Sequence, residues 1–387
     1  MKRTLITIFF ITCSANAIEF SYRIQGLGTE FAYLIPDYET DLYRNPELLG
    51  RKILGIAYDR YWYTSTPLTL LFLLRGFGIY GEYWPDYNYE LRSSNTWQSL
   101  SSFTFKFEDL WMLRIKNEVW NLYNDGQILV SEQQDSYGDR TLDRTIEYFL
   151  SASGNYKIGR RFTIHIKPGA GLYGKWGETY YYQTAEQLIV ISSGRIGLSY
   201  RNAPVANRFS SWFIDFGGPV SAGEINELPY SIYLDMYEHD RKIKYFANSF
   251  ILKIGWARGI PLHENSFVAI GLKDDFLYQR TEQGGTDYAD TVLYFSASTN
   301  TFTFPIAVEY IINKISLRFG ARLSYLFKDY RTSNDLGLIS EDLSHDLSFG
   351  YSFGIGWQPH GCVFIDLYNR GNLSEIGHWS IYFKYLF

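Results

Sequence analysis

The sequence predicts an all-β fold, a transmembrane antiparallel up-and-down β-barrel of about 14 strands (about 12–16) with a small N-terminal plug in its lumen. Three observations support this prediction. Many segments alternate apolar and polar residues, aromatic residues make up 19% of the chain, and short connections alternate with long ones. A secreted β-sandwich shares the first feature but has no reason to keep the third.

The alternation has a period of two residues and is clearest near the end of the chain. In residues 315–327 and 347–357 every odd position is apolar, and the even positions are mostly Ser, Gly or Arg. A helix would need a period of 3.6, so these segments are predicted to be strands with one apolar and one polar face. Similar segments include residues 103–107, 146–152, 162–166, 196–200, 250–256, 302–310 and 363–367.

Aromatic residues and connection lengths place these strands in a membrane. The chain has 34 Tyr, 28 Phe and 10 Trp, residues that are favoured on strands and at boundaries between apolar and wet surroundings. Connections over residues 276–300 and 328–346 are long, whereas those over 258–264 and 311–314 are short. Long outer loops and short periplasmic turns are typical of outer-membrane barrels. The strongest apolar run, Leu68–Leu74, is far shorter than the ~20 residues of a membrane helix.

The strand count remains open between two values. About fifteen segments alternate, but single-chain bacterial barrels use even numbers of strands. If residues 19–25 form a first strand, the barrel has about sixteen strands. If one segment between Gln187 and Tyr245 lies outside the wall, it has about fourteen.

The N-terminus predicts export. Lys2 and Arg3 precede a short apolar run, and Ala15-Asn16-Ala17 is the small-x-small pattern of a signal-peptidase site. Residues 1–17 are therefore predicted to be a cleaved signal peptide, residues 18–52 a plug or first strand segment, and residues 53–387 the barrel. Cleavage would move the formal net charge from −5 to −7, which argues against nucleic acid as a partner. It would leave Cys362 alone, so no internal disulfide is expected.

The last ten residues, HWSIYFKYLF, place an apolar residue at every second position. Phe383, Tyr385 and Phe387 occupy the last three of these positions. The segment resembles the C-terminal signal of bacterial outer-membrane proteins. The resemblance implies an integral outer-membrane location, with outer-membrane lipid and the outer-membrane insertion machinery as partners. If the last strand pairs with the first, the sheet also has no unpaired edge.

The segment Gly28–Gly50 precedes a strand predicted at residues 53–62. Asp37, Thr40, Tyr43 and the dipeptide Asn45-Pro46 are similar to the start of the outer-membrane long-chain fatty-acid transporter family and of the related Bacteroidetes-type secretion barrels. Glu47 departs from the usual Ala. The resemblance implies that residues 18–52 plug the lumen, with Asn45 and Pro46 as the plug turn. Independently, Asn-Pro favours a plain turn that leads into the first strand.

Charges on the polar faces of the strands are the candidates for a lumen or substrate site, because a charge on the lipid face costs about 2–4 kcal/mol at midplane. One interpretation is that they are paired structural charges. The other is an anion-attracting constriction built on Arg318 and Arg322. Arg75 follows the apolar run at residues 68–74. This run would form either an apolar wall of the channel or a surface on which the plug packs. The candidates are Arg318, Arg322, Lys314, His165, Lys167, Arg114 and Arg75.

Three functions remain after these observations. The preferred hypothesis is a channel for passive transport of a small apolar or amphipathic molecule. The second is a barrel without transport that acts as a shuttle or anchor for secreted proteins. The third is a rim hydrolase built on Glu238-His239-Asp240 or Ser344-His345-Asp346, although adjacent strand residues point to opposite faces. The chain has no CxxC, HExxH or P-loop motif, so we expect no enzyme activity, no cofactor and no metal.

Overall fold

The structure is a computed structural model. It describes residues 21–37, 41, 53–59, 68–74, 77–88, 92–93, 97–135, 140–178, 182–205, 207–231, 236–237, 241–285, 292–334, 337–369 and 379–386. The predicted signal peptide, the plug turn at Asn45 and Pro46, Arg75 and Phe387 lie outside the described residues.

The described residues form eighteen β-strands in one antiparallel sheet. Their bounds are β1 (Ile53–Asp59), β2 (Leu68–Leu74), β3 (Phe77–Asn88), β4 (Arg92–Ser93), β5 (Trp97–Ile115), β6 (Glu118–Asp135), β7 (Arg140–Ile158), β8 (Phe162–Glu178), β9 (Tyr182–Val205), β10 (Arg208–Ser231), β11 (Met236–Tyr237), β12 (Arg241–His263), β13 (Ser266–Gly285), β14 (Val292–Ile312), β15 (Ile315–Asn334), β16 (Gly337–His360), β17 (Val363–Asn369) and β18 (Trp379–Leu386).

Apart from the two-residue strands β4 and β11, each strand pairs with its neighbours in sequence, and the pairing returns to its start. The last strand, β18, pairs with both β17 and β1, and β1 also pairs with β2. On β18, Phe383 lies opposite Ile56 and Tyr385 opposite Leu54. The sheet therefore closes into a barrel with β18 at the seam, and the predicted up-and-down barrel fold is confirmed.

The described wall contains sixteen strands, because β4 and β11 are two-residue pieces that pair only with β5 and β10. This number lies at the upper end of the predicted range. The alternative in which residues 19–25 form a first strand is wrong, since Tyr22–Leu27 is a helix. The long strands between Gln187 and Tyr245, which are β9, β10 and the start of β12, belong to the wall.

The two long connections predicted at residues 276–300 and 328–346 are mostly strand. Strand β13 continues to Gly285 before β14 begins at Val292, and β15 continues to Asn334 before β16 begins at Gly337. Since a membrane-spanning strand needs only about 9–11 residues, these hairpins extend beyond the membrane. We call this side the loop end, and the side with the short turns at 116–117, 159–161, 264–265, 313–314 and 361–362 the turn end.

The period-two pattern separates an outer from an inner face. On β15, Ile315, Leu317 and Phe319 are between 40% and 46% exposed, whereas Ser316 and Arg318 between them are buried. The same contrast recurs on the other long strands, where exposed Leu, Ile, Phe, Trp and Tyr point outward. The apolar face is the outer one, because an aqueous lumen accepts the polar side chains and lipid does not.

Residues 21–37 form a compact segment against the inner face, which we call the N-terminal segment. Its helix α1 (Tyr22–Leu27) begins at Ser21, whose Oγ accepts a hydrogen bond from the Ile24 backbone N–H at 3.3 Å. The helix ends at Gly28, which has φ +106°, a conformation suited to glycine. A 3₁₀ turn, Thr29–Phe31, follows. In the described part of the chain, no helix is long and apolar enough to cross a membrane.

Candidate functional site in the barrel interior

A chain of ion pairs joins the N-terminal segment to three wall strands. On α1, the Arg23 guanidinium donates to Glu309 of β14, with Nη2–Oε2 at 2.5 Å. Glu309 also accepts from Arg318 Nε of β15 at 2.9 Å, and Arg318 Nη1 donates to Asp366 of β17 at 2.5 Å. Arg23 Nη1 turns back to the Pro36 carbonyl oxygen at 2.7 Å. The side chains of Glu309 and Arg318 are only 2% and 7% exposed, so these charges satisfy one another away from water.

Apolar side chains of the N-terminal segment pack against the wall beside these ion pairs. Leu27, Phe31, Leu34 and Ile35 are fully buried. They belong to one cluster with Ile24, Ala32 and wall residues Phe209, Phe213, Ala257, Phe267, Ala269 and Ala307. At about 25 cal/mol per Å² of buried apolar surface, this packing stabilises the short helix together with the ion pairs.

Two wall glycines make room for the backbone of α1. A Cβ at Gly354 would lie 3.1 Å from Gly26 Cα, and one at Gly320 would collide with the Leu27 carbonyl. Nearby, Ser352 Oγ donates to the Gly26 carbonyl at 3.2 Å. Backbone therefore lies directly on backbone along β15 and β16, a contact that any larger side chain would prevent.

Two further ion pairs hold the ends of this region. Arg322 on β15 is paired with Glu30, and Arg201 on β9 with Asp41. Arg201 also donates to the Tyr33 carbonyl, which belongs to a residue with φ +63°. Burial raises the pKa of Asp41, and the opposing effect of Arg201 does not cancel it. Burial lowers the pKa of Arg23, but Glu309 and Asp37 outweigh burial, so its pKa is raised above the ordinary value.

A pocket of about 370 Å³ lies between the N-terminal segment and the inner face of β15–β17. It sits on the loop-end side of the Arg318 ion pairs, where the pairing of β16 with β17 ends at Phe353 and Asn369. Its lining is largely polar and includes Gln25, Thr29, Glu30, Arg322, Ser352 and Asn369. The Glu30–Arg322 pair forms part of its wall.

On the other side of the barrel the inner face becomes apolar toward the loop end. Tyr173, Ile189 and Tyr245 occupy one row across β8–β12, because Tyr173 faces Ile189 and both Ile189 and Tyr245 face Gly223. They form a buried cluster with Ile191 and Ala247, against which Phe149 packs. Since barrel interiors are usually polar, we name this set the lumenal apolar cluster.

The structure places the predicted site residues in different surroundings. Arg318 and Arg322 lie on the inner face but are paired with Glu309, Asp366 and Glu30. Lys314 lies in the turn between β14 and β15, where its Nζ donates to the Pro359 carbonyl at 2.8 Å. The sequence does not show that these carboxylates are the partners of Arg318 and Arg322, because they lie on other elements that only the folded barrel brings together.

Three other candidates lie on β5 and β8. His165 is buried, with Nδ1 2.6 Å from Asn155 Oδ1 and Nε2 2.8 Å from Ser199 Oγ. Lys167 lies over the Tyr123 ring, 5.4 Å from its centroid. Arg114 is exposed near the turn end of β5.

The described residues also include one candidate for the rim hydrolase. His345 is exposed on β16, and its Nδ1 lies 2.9 Å from the hydroxyl of Tyr325. It stacks on the Tyr325 ring on the outer face, with centroids 6.1 Å apart. Residues 238–240 lie outside the described residues. Among the residues described, no group of three or more His, Cys, Asp or Glu could hold a metal ion.

An apolar exterior around a closed ring of strands, with charged groups buried inside, is the arrangement that lipid requires of a β-structure. The chain is an integral outer-membrane β-barrel. No protein-family model and no curated protein matches it.

Several solved structures are similar to this barrel. The Pseudomonas putida toluene transporter TodX is 10% identical over 94% of this chain and 95% of its own, with a TM-score of 0.41. The Ralstonia pickettii toluene transporter TbuX is 9% identical over 95% and 98%, also with a TM-score of 0.41. The outer membrane transporter YddB from Escherichia coli is 7% identical over 87% and 81%, with a TM-score of 0.36.

Proposed function

We propose that the barrel passively conducts a small amphipathic molecule across the outer membrane, and that residues 18–52 form a plug that closes the lumen at rest. The observation that carries this proposal is the pocket of about 370 Å³ between the N-terminal segment and β15–β17. Its volume falls in the range of small-molecule sites. Movement of the segment would enlarge this pocket into a passage.

The two kinds of inner surface support an amphipathic substrate. The pocket offers Arg322, Glu30 and Ser352 to a polar group, whereas the lumenal apolar cluster offers aromatic and aliphatic side chains. A molecule with both characters would find partners on both sides of the lumen. A strictly polar solute would gain nothing from the apolar cluster.

The contacts of the N-terminal segment support its role as a reversible plug. Its helix has six residues, too short to be stable in water without tertiary contacts. Several contacts with the wall are hydrogen bonds and ion pairs, including Arg23 with Glu309 and Arg322 with Glu30. Water in an opened lumen would replace such polar contacts with less penalty than buried apolar ones.

The alternative is a barrel without transport that acts as a shuttle or anchor. The tight filling around Leu27, Phe31 and Leu34 favours it, because a lumen that never opens conducts nothing. The two functions differ in whether the N-terminal segment must move.

A reversible cross-link between the segment and the wall tests this difference. Glu30 and Arg322 form an ion pair, so the double variant Glu30→Cys/Arg322→Cys places two thiols within reach of a short bis-methanethiosulfonate reagent. The background should be Cys362→Ser, because Cys362 is a free thiol. In cells that express the barrel but lack general porins, the cross-linker should reduce uptake of the fluorescent apolar probe N-phenyl-1-naphthylamine to the level of cells without the barrel. A reducing agent should restore it.

The single variant Arg322→Cys treated with the same reagent is the control, and its uptake should not change. Uptake that continues at full rate in the cross-linked protein would show that the segment does not have to move. Uptake by the wild-type barrel no faster than in cells without it would contradict transport and favour the shuttle or anchor.

A further inference from the structure

One arginine of β12 lies on the outer face of the wall, among apolar side chains. Trp256 and Ile260 are 39% and 46% exposed on that face, whereas Ala257 between them is fully buried. Arg258 is exposed, and period two places its side chain on the same face as Trp256 and Ile260. Its register partner on β13, Ile270, is also exposed there. A cation therefore interrupts an otherwise apolar part of the lipid-facing surface.

Two neutral polar residues continue the row of Arg258 on the neighbouring strands. Arg258 lies opposite Ser210 of β10, and Ser210 lies opposite Asn202 of β9. Ser210 and Asn202 are half-buried. They belong to the outer face, because the adjacent residues Phe209 and Arg201 contact the N-terminal segment inside the barrel. We call Arg258, Ser210 and Asn202 the outer polar notch.

Aromatic side chains fill the next row toward the loop end. Phe162, Tyr200, Trp212 and Trp256 are register partners across β8, β9, β10 and β12. The Tyr200 and Trp212 rings stack with centroids 5.9 Å apart, and the Phe162 centroid lies 5.0 Å from that of Tyr200. Such aromatic girdles mark the boundary between the apolar band of a barrel and the lipid head groups. The outer polar notch therefore lies on the turn-end, periplasmic side of such a girdle.

Within the described part of the chain, no carboxylate pairs with Arg258. Glu264, in the turn between β12 and β13, is six residues away, about 20 Å along the strand. On β13, Asp274 is four residues beyond the register partner of Arg258, which is about 13 Å. Two further exposed cations, Arg208 on β10 and Arg160 in the turn before β8, lie at the same end of the barrel. The surface around the notch is therefore positive.

We infer that the outer polar notch binds the phosphate group of an anionic phospholipid in the periplasmic leaflet of the outer membrane. A guanidinium on the lipid face is unfavourable without a partner, and a phosphate accepts two parallel hydrogen bonds from it. Ser210 and Asn202 can donate to the remaining phosphate oxygens. The exposed apolar side chains of Trp256 and Ile260 on either side of Arg258 suit acyl chains, which an acidic protein segment does not offer. The inference does not depend on the plug or on transport.

Lipid titration followed by native mass spectrometry tests the notch in the full-length barrel, with phosphatidylglycerol and phosphatidylcholine as probes. The wild type should bind phosphatidylglycerol more tightly than phosphatidylcholine. Arg258→Gln should weaken the first binding of phosphatidylglycerol about tenfold, because it removes charge-assisted hydrogen bonds, and should leave phosphatidylcholine binding unchanged. Ser210→Ala should weaken it less, and Arg258→Lys should retain most of it. Arg114→Gln is the matched control, because it removes the same charge from the same end of the barrel but from the inner face.

Equal binding of the two lipids by the wild type would overturn the inference and leave an acidic segment of a periplasmic protein as the occupant. Arg258→Gln that binds phosphatidylglycerol like the wild type would overturn it as well. So would Arg114→Gln that weakens binding as much as Arg258→Gln, because the effect would then be one of net charge. If Arg258→Gln does not fold, as judged by heat-modifiable migration, Ser210→Ala decides, and unchanged phosphatidylglycerol binding by that variant would contradict the site.

Discussion

Replacing Glu309 with glutamine should detach the N-terminal segment and destabilise the folded barrel by about 3–5 kcal/mol, the effect of breaking a buried ion pair. Glu309 is the carboxylate shared by Arg23 and Arg318. Without its charge, the Arg23 and Arg318 guanidinium groups would lie close together with no carboxylate between them, and Arg23 would keep only Asp37, at 3.5 Å. Chemical unfolding in detergent would measure the loss, and limited proteolysis would report the release of residues 21–37.

The control for this prediction is Glu30→Gln. Glu30 pairs with Arg322, whose side chain is 47% exposed. Removing this ion pair should therefore lower the free energy of unfolding by less than about 1 kcal/mol. Equal effects of the two substitutions would show that the buried ion pairs do not hold the segment.

Phe319→Arg should hinder insertion and destabilise the barrel in the membrane by about 2–4 kcal/mol, the range for a cation at the midplane. Phe319 is 46% exposed on the outer face, near the middle of the apolar stretch 315–327 of β15. The yield of heat-modifiable protein in outer-membrane fractions would measure insertion.

Ser333→Arg is the matched control, because Ser333 lies on the same face of β15 but at its loop end. There the penalty should fall to about 0–1 kcal/mol, as expected near or beyond the interface. If Ser333→Arg hindered insertion as much as Phe319→Arg, the apolar band would be placed incorrectly along the strand.

The strands and their faces could be predicted because a single rule, period two with apolar residues toward lipid, governs the membrane-spanning part. Their lengths could not. In residues 328–346 both faces meet water, so the alternation fades, yet the backbone continues as a hairpin. The polar composition there predicts a loop, whereas backbone pairing continues the strands.

The helix at Tyr22–Leu27 was also beyond the sequence pattern. Ile18, Phe20, Tyr22 and Ile24 alternate as in a strand. The close contact of Gly26 with Gly354, the burial of Leu27 and the Arg23–Glu309 ion pair favour a helix in this stretch. A six-residue helix depends on its surroundings, and those are far away in sequence.

Cross-strand partners were the third gap. The spacing of Arg318 and Arg322 on one strand predicts their shared face, but their carboxylates come from elsewhere: register brings Glu309 to Arg318, and the N-terminal segment brings Glu30 to Arg322. The same register brings Lys167 opposite Arg195, a pair that no spacing along the chain reveals. Pairing of strands, rather than composition, therefore determines which charges are neutralised.

Single-channel conductance of a barrel that lacks residues 18–52 tests most directly whether the N-terminal segment closes the lumen. The deletion keeps the predicted signal peptide, residues 1–17, and joins it to β1. In planar bilayers the truncated barrel should conduct several-fold better than the full chain, since water and ions replace the segment, and it should remain heat-modifiable. A folded truncated barrel with unchanged conductance would contradict the plug and the transport function built on it.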